Sequence, residues 1–424
     1  MTETKMAYNS KVILFLLFSS NLISAMDRFI INYGIVPISK EFQLDATSTG
    51  LILSIFFLGY AIMQIPGGWL ADKFGARIVI LISVFSFSIF TGLTGVAWSF
   101  AILVIIRFIF GIGEGSFFPA GAKLIADAIP EERRSKAMSI FLSALTAAGI
   151  AAPILATSMM VSIGWRWMFG VIGLLGLLFG MLNWFFLKPK AGTSGLYQAS
   201  LSASSVQKPK TTKGSIKKML KTPMIWALII VSFSHGFISW GLSAWMPTYL
   251  VNERGLDLLS LGMLALIPGA TGVIFFLLAG YVIDKQKNGR EKWIGAISGI
   301  GYAILVYLMF HAKTVTGVIV FQSLIPMFGA TLSVIIFSMP LKRLSQEIAG
   351  TAIGVVNLGM QIAGFLAPLG MGFIIDSFNG SYNGAVWLLT SFGIVCFLAF
   401  VTLYTSDKKE SIVEEHAPIV PVTK

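Results

Sequence analysis

Long apolar runs alternate with short polar turns twelve times along this chain of 424 residues. A bilayer core takes about 20 apolar residues per helix. Runs of that size fall at 12–36, 48–71, 77–97, 100–124, 137–162, 165–187, 223–250, 258–283, 292–311, 314–340, 350–375 and 383–405. Their length and unbroken apolarity predict membrane-spanning helices rather than core helices of a soluble domain. One polar gap is long, roughly 188–222. It holds Gly192, Thr193, Ser194 and Gly195, then Ser200, Ser202, Ser204 and Ser205, then a run of lysines, which is linker composition. It divides the chain into a six-helix unit (1–187), a linker (188–222), a second six-helix unit (223–406) and a tail (407–424).

The two sixes echo one another. Gly68-Trp69-Leu70-Ala71-Asp72-Lys73 returns in reduced form, 212 positions later, as Gly280-Tyr281-Val282-Ile283-Asp284-Lys285. Both copies close an apolar run just before a basic turn. Gly149-Ile150-Ala151-Ala152-Pro153 in the fifth span returns after 215 positions as Gly364-Phe365-Leu366-Ala367-Pro368 in the eleventh. Small residues let helices approach closely and proline kinks them. Two matched kinked helices in duplicated halves predict a bundle that rocks, the architecture of secondary transporters.

Composition agrees. The chain is 56% hydrophobic and 12% charged, with a mean hydropathy of +0.83, whereas a soluble domain carries roughly 25% charged residues. The net charge of +12 does not indicate nucleic acid, because the basic residues sit in short turns and form no stripe interleaved with stacking aromatics. Their distribution sets the orientation instead. With the N-terminus inside, 25 of the 31 lysines and arginines fall on the inner side and four on the outer (Lys40, Arg166, Arg254 and Lys313). Both termini are therefore expected in the cytoplasm. The run from Val12 has no small-residue cleavage site and is expected to be a span, not a signal peptide. Cys396 is the sole cysteine, which excludes disulfides and thiolate metal clusters and fits a small buried hydrophobe.

Ionisable groups inside a bilayer are expensive and functional by default. Asp27 and Arg28 lie in the first span, Arg107 and Glu114 in the fourth. Asp27 is 16 residues after Lys11, ~24 Å along a helix and past the midplane. Arg107 and Glu114 are two turns apart and share a face, with Glu114 ~10 Å deeper. Adjacent Asp27 and Arg28 are about 100° apart and must point to different neighbours. One reading is a static network, Asp27 with Arg107 or Glu114 with Arg28, although buried pairs stabilise poorly. The other is functional. Guanidinium grips a carboxylate through two parallel hydrogen bonds, so the arginines attract an anion while the carboxyl groups take up protons. Burial at mid-membrane favours the neutral form of Glu114 and a nearby arginine favours the charged form. A carboxyl poised between the two is what proton coupling requires.

These features carry a family resemblance. Gly67-Gly68-Trp69-Leu70-Ala71-Asp72-Lys73-Phe74-Gly75-Ala76-Arg77 resembles the loop 2–3 signature of the major facilitator superfamily, with Ala76 where a basic residue is usual. Gly164-Trp165-Arg166-Trp167-Met168-Phe169 is similar to the superfamily's start of the sixth helix. The resemblance implies an all-α membrane fold of twelve helices in two pseudo-symmetric six-helix bundles. It casts Asp72, Arg77 and Asp284 as gating residues; a helix N-cap is the plainer reading of Asp72. Asp27-Arg28, Tyr60 to Pro66, Arg107 with Gly113-Glu114 and Phe118-Pro119, Trp245 to Leu250, and Gly350-Thr351-Ala352 before Asn357 resemble the anion:cation symporter branch. That branch includes hexonate and hexuronate carriers. Ile30 and Phe337-Ser338-Met339-Pro340 depart from its usual pattern. The resemblance places proton coupling on Asp27 and Glu114 and anion binding on Arg28 and Arg107. Tyr60, Gln64 and Asn357 fall at positions that resemble the branch's substrate contacts.

Asn357 and Gln361 are four apart on one helix face, placed either for a polyol's hydroxyls or for an interhelical hydrogen bond. His235, near the midplane of the seventh span, is either a substrate or proton group or a packed neutral histidine. Tyr33 reads as an interfacial aromatic. Gly111-Ile112-Gly113-Glu114-Gly115 follows no strand and is close helix packing, not a nucleotide loop. No phosphate-cradling lysine motif, nucleophile–base constellation or metal cluster is present in the sequence. The expectation is therefore a transporter, not an enzyme, without cofactor. It carries a small organic anion such as a hexonate, hexarate or hexuronate into the cell with a proton, as a monomer in the cell membrane. Two rivals are weighed. An organic phosphate exchanger would use an arginine in the seventh span, which has no lysine or arginine before Arg254. A multidrug proton antiporter would carry a fuller glycine–proline pattern in the fifth span than Gly149 and Pro153 supply, and would not place two arginines against cationic drugs.

Overall fold

The computed structural model describes residues 10–187, 222–286, 290–344 and 346–402. Apart from Thr222, the expected linker lies outside the described residues, as does the expected tail. The described chain is helical. In chain order the helices are α1 (Ser10–Phe42), α2 (Ala46–Phe74), α3 (Ala76–Gly95), α4 (Phe100–Gly115), α5 (Phe117–Ala128), α6 (Glu131–Phe186), α7 (Pro223–Asn252), α8 (Leu258–Leu264), α9 (Leu266–Asp284), α10 (Arg290–His311), α11 (Val315–Arg343), α12 (Gln346–Ser377) and α13 (Asn383–Thr402).

Local chemistry sets the ends. Asp45 caps α2 by accepting from the Ser48 backbone N–H at 2.7 Å, and Thr314 caps α11 through the Gly317 N–H at 3.1 Å. Gly75 joins α2 to α3 at φ 88°, a left-handed value that glycine adopts without strain. Eleven stretches among the described residues are long and apolar enough to cross a membrane. One of them, Lys136–Phe186, has 51 residues, ~75 Å of helix against a core of about 30 Å. It bends at Gly164, where φ is 79°, and supplies the two crossings predicted at 137–162 and 165–187. The predicted twelve spans are thus accounted for.

Two predicted spans are broken. The run 100–124 divides at Ser116 into α4 and α5, and the run 258–283 divides at Ala265 into α8 and α9. Proline contributes to both breaks. Pro119 has no N–H to donate to the Gly115 carbonyl, and Pro268 has none for Leu264. Glycines 111, 113 and 115 loosen the first site further.

The halves repeat one packing plan. α1 lies along α6 as α7 lies along α12; α2 packs on α4 as α9 packs on α11; α3 packs on the second arm of α6 as α10 packs on α13. Between the halves, α2 meets α12, α6 meets α8 and α9, and α1 meets α7. The described hydrogen bonds between halves lie toward the end that carries the α1–α2 turn, the outer end on the lysine and arginine bias. There the Asp376 carboxylate, in the last turn of α12, receives the Ala46 N–H at 2.9 Å, the Thr47 N–H at 2.6 Å and the Thr47 hydroxyl. A carboxylate from one half thus seals the positive end of a helix from the other. A side chain at Gly372, one turn before Asp376, would collide with the Ala46 carbonyl.

Candidate functional site

α2 and α4 touch backbone to backbone: a side chain at Gly59 would strike the Phe108 carbonyl, and one at Gly111 the Phe56 carbonyl. This contact brings Phe56 and Tyr60 against the charged face of α4. Arg107 Nη1 donates to Asp27 Oδ2 at 2.5 Å, with both side chains almost wholly buried. Arg28 Nη2 donates to Glu114 Oε1; Glu114 is 2% exposed and Arg28 14%. The adjacent residues Asp27 and Arg28 therefore turn to different partners, as the helical angle requires, and both weighed pairings form. Each pair is joined through a single hydrogen bond. Arg28 Nε, Arg107 Nε, Asp27 Oδ1 and Glu114 Oε2 are buried with no hydrogen-bond partner among the described residues. Rings shield the cations: the Arg28 guanidinium is 5.1 Å from the centroids of both Phe56 and Tyr60, and Arg107 is 4.7 Å from Phe110.

A narrow cleft opens beside the pairs. Arg28, Asn32, Phe57 and Arg107 line it from the first half; Trp240, Ala244 and Pro368 line it from the second. Phe57 and Trp240 meet edge to face across it at 4.7 Å. The Asn32 amide donates to Ser243 Oγ at 3.1 Å, joining α1 to α7. Asn32, Trp240 and Ser243 did not stand out in the sequence. The signal for Asn32 is its place four residues after Arg28, on the same helix face.

The other expected site residues spread out from this centre. Tyr60 is buried beside Arg28, with Gln64 one turn on. Asn357 and Gln361 are half-buried on α12, which packs between α2 and α7. His235 is turned into the second half: its Nε2 lies 2.8 Å from Ser333 Oγ, and its ring is 5.9 Å from that of Tyr302. It does not line the cleft.

At the opposite end, Asp72 is exposed and accepts from Lys123 Nζ at 2.6 Å. It does not cap α3; Gly75 holds that position without a side-chain bond. Arg77 donates to the Trp184 carbonyl at 3.2 Å, and Asp284 is exposed at the end of α9. In the second half Glu291 is buried, with Lys342 and Arg343 each 3.7 Å away. Sequence reading had passed over Glu291 because it stands in a basic turn outside the predicted apolar runs.

Duplicated helical halves with buried charges beside an inter-half cleft define a membrane transporter of the secondary kind. The sequence profile of the Major Facilitator Superfamily matches residues 17–368, and the chain belongs to that superfamily. It is a multi-pass membrane protein and not an enzyme. It is 31% identical over 376 residues to a probable sulfoacetate transporter of Cupriavidus necator, covering 85% of this chain and 86% of the relative. It is 28% identical over 430 residues to a probable galactarate/D-glucarate transporter of Escherichia coli, covering 94% and 96%. Among solved structures, a bacterial homologue of the human lysosomal transporter Spinster, in an inward-facing and unoccupied conformation, superposes with a TM-score of 0.79. That match has 18% identity over 92% of this chain and 95% of the other, and it speaks for the fold.

Proposed function

We propose that this chain is a proton-coupled symporter carrying a small organic anion, of the sugar-acid class, into the cell. The observation that carries the reading is the Arg28–Glu114 pair at the edge of the cleft. Arg28 has one carboxylate partner and reaches the cleft, so an incoming carboxylate competes with Glu114 for the same guanidinium. Glu114 displaced from Arg28 is a buried carboxylate without a countercharge, and burial then drives it to take a proton. Binding of the anion and uptake of the proton are thus one exchange of partners. The Asp27–Arg107 pair is the more fully buried and supplies a second proton acceptor, whose protonation leaves the Arg107 charge uncompensated. The printed names of relatives, sulfoacetate and galactarate/D-glucarate transporters, support a compact organic acid as cargo.

The lysine and arginine bias supports a cell-membrane carrier with both termini cytoplasmic, built as 1–187 and 223–406 around a cytoplasmic linker. In that orientation the Asp376 seal closes the outer end, and the arrangement is inward-facing. Asp72, Arg77 and Asp284 stand at the ends that must come together when the bundle rocks. The phosphate-exchanger alternative is disfavoured because the second half offers the cleft only Trp240, Ala244 and Pro368, with no cation for a divalent head group.

The test is uptake of labelled hexonates, hexarates, hexuronates and sulfoacetate into proteoliposomes under an inward pH gradient. Accumulation that a protonophore collapses is expected. Exchange of preloaded phosphate ester without net accumulation would establish the exchanger instead. Glu114→Gln is expected to lose gradient-driven accumulation while retaining exchange of labelled for unlabelled anion; full accumulation by this variant removes Glu114 from coupling.

A further inference from the structure

The arginines account for the charge of the cargo and leave open what reads the rest of it. Guanidinium groups only donate hydrogen bonds, and the carboxylates beside them do not line the cleft: each gives one oxygen to its guanidinium and keeps the other buried. Across the cleft, Ala244 has no polar side-chain atom, Trp240 has only an N–H donor, and the Pro368 carbonyl is taken by Trp245 Nε1 at 2.9 Å. Asn32 is different in kind. It is 7% exposed, lines the cleft, and lies ~6 Å further along the α1 axis than Arg28 on the same face. One amide N–H goes to Ser243. The carbonyl oxygen, an acceptor, and a second N–H remain for a ligand.

We infer that Asn32 is a specificity-determining residue that reads a hydroxyl group on the transported anion. With the anionic group on Arg28, a hydroxyl a few carbons along the ligand reaches the Asn32 amide, and the ligand's C–H face lies against Trp240. The preferred cargo is therefore a hydroxy acid rather than a bare anion. This rests on the anion-symport reading and narrows it. A buried amide left unpaired by an analogue without the hydroxyl penalises that analogue, by about tenfold for one neutral hydrogen bond.

The experiment is gradient-driven uptake by the full chain in proteoliposomes, with gluconate, galactonate and glucarate each set against its single deoxy analogues, and with sulfoacetate as an anion lacking a hydroxyl. Wild type is expected to prefer the hydroxylated acid over one deoxy position by about tenfold. Asn32→Leu, of similar volume, and Asn32→Ala are both expected to bring that ratio near one. Ser243→Ala, which removes only the tie between α1 and α7, is expected to keep it. Equal loss of uptake of both acids in the Asn32 variants, or a Ser243→Ala ratio as collapsed as that of Asn32→Leu, overturns the inference and makes Asn32 a tie between halves. Accumulation of sulfoacetate alone overturns it while leaving anion symport standing. Absence of gradient-driven accumulation of every acid by wild type overturns both.

Discussion

Arg107 and Arg28 differ in what surrounds them. Both line the cleft and both lie over aromatic rings, but the Asp27–Arg107 side chains are almost wholly buried, whereas Arg28 is 14% exposed. Removing one partner of an almost wholly buried pair strands the other charge, which costs ~3–5 kcal/mol. Asp27→Asn is therefore expected to lower the thermal unfolding temperature in detergent far more than Glu114→Gln, measured side by side by thermal melts. Glu114→Gln leaves Arg28 with no competing carboxylate. Anion binding by that variant is expected to persist and to lose its dependence on pH, read by equilibrium binding of labelled acid across a pH series. The four charges were legible in the sequence because carboxylates and guanidiniums are so rare inside apolar runs; helical angles required Asp27 and Arg28 to take different partners, and the pairings themselves were one of two readings weighed. Asn32 and Trp240 were not, because amides and aromatics are common in membrane helices. What distinguishes Asn32 is a partner, Ser243, 211 residues away, which only the assembled fold supplies.

Helices were read well from apolarity and less well where backbone bonding decides. Lengths and order came through. The breaks at Ser116 and Ala265 did not, because hydropathy is blind to the missing N–H groups of Pro119 and Pro268. The contact of α2 with α4 was likewise only partly visible: the glycines of α4 announced close packing, but not that Gly111 faces Gly59's helix at Phe56. A side chain at Gly111 meets backbone, which cannot move aside. Gly111→Leu is expected to push α2 from α4, costing about 1–3 kcal/mol or more, and to abolish uptake by drawing Phe56 and Tyr60 away from Arg28. Protein yield, melting temperature and transport together check this.

At the scale of the whole molecule the internal echoes revealed two halves, and matched packing of α2 on α4 and α9 on α11 bears this out. How the halves meet was not legible, since Asp376 reads as an ordinary helix-end acid until it is seen on the N-terminus of α2. Charge-assisted hydrogen bonds contribute ~1.5–3 kcal/mol each, so Asp376→Ala is expected to shift the balance toward the conformation opened at that end by tenfold or more. Distances between spin labels at the α1–α2 turn and the end of α12 would lengthen; unchanged distances would show that the seal does not hold the halves. The buried charges have an electrical consequence. Asp27, Arg28, Arg107 and Glu114 sum to zero and all sit in one half. In the proposed symport cycle the empty carrier thus returns without moving net charge through the membrane field. If one proton accompanies each singly charged acid, the loaded carrier is neutral too, and the whole cycle ignores the membrane potential. If Asp27 also protonates, one positive charge crosses per turn, and 100 mV contributes about 2.3 kcal/mol to uptake. In the proposed proton symport, clamping vesicles with a potassium diffusion potential at fixed pH gradient therefore counts the protons carried with a singly charged acid: uptake indifferent to voltage means one, and uptake driven by it means two.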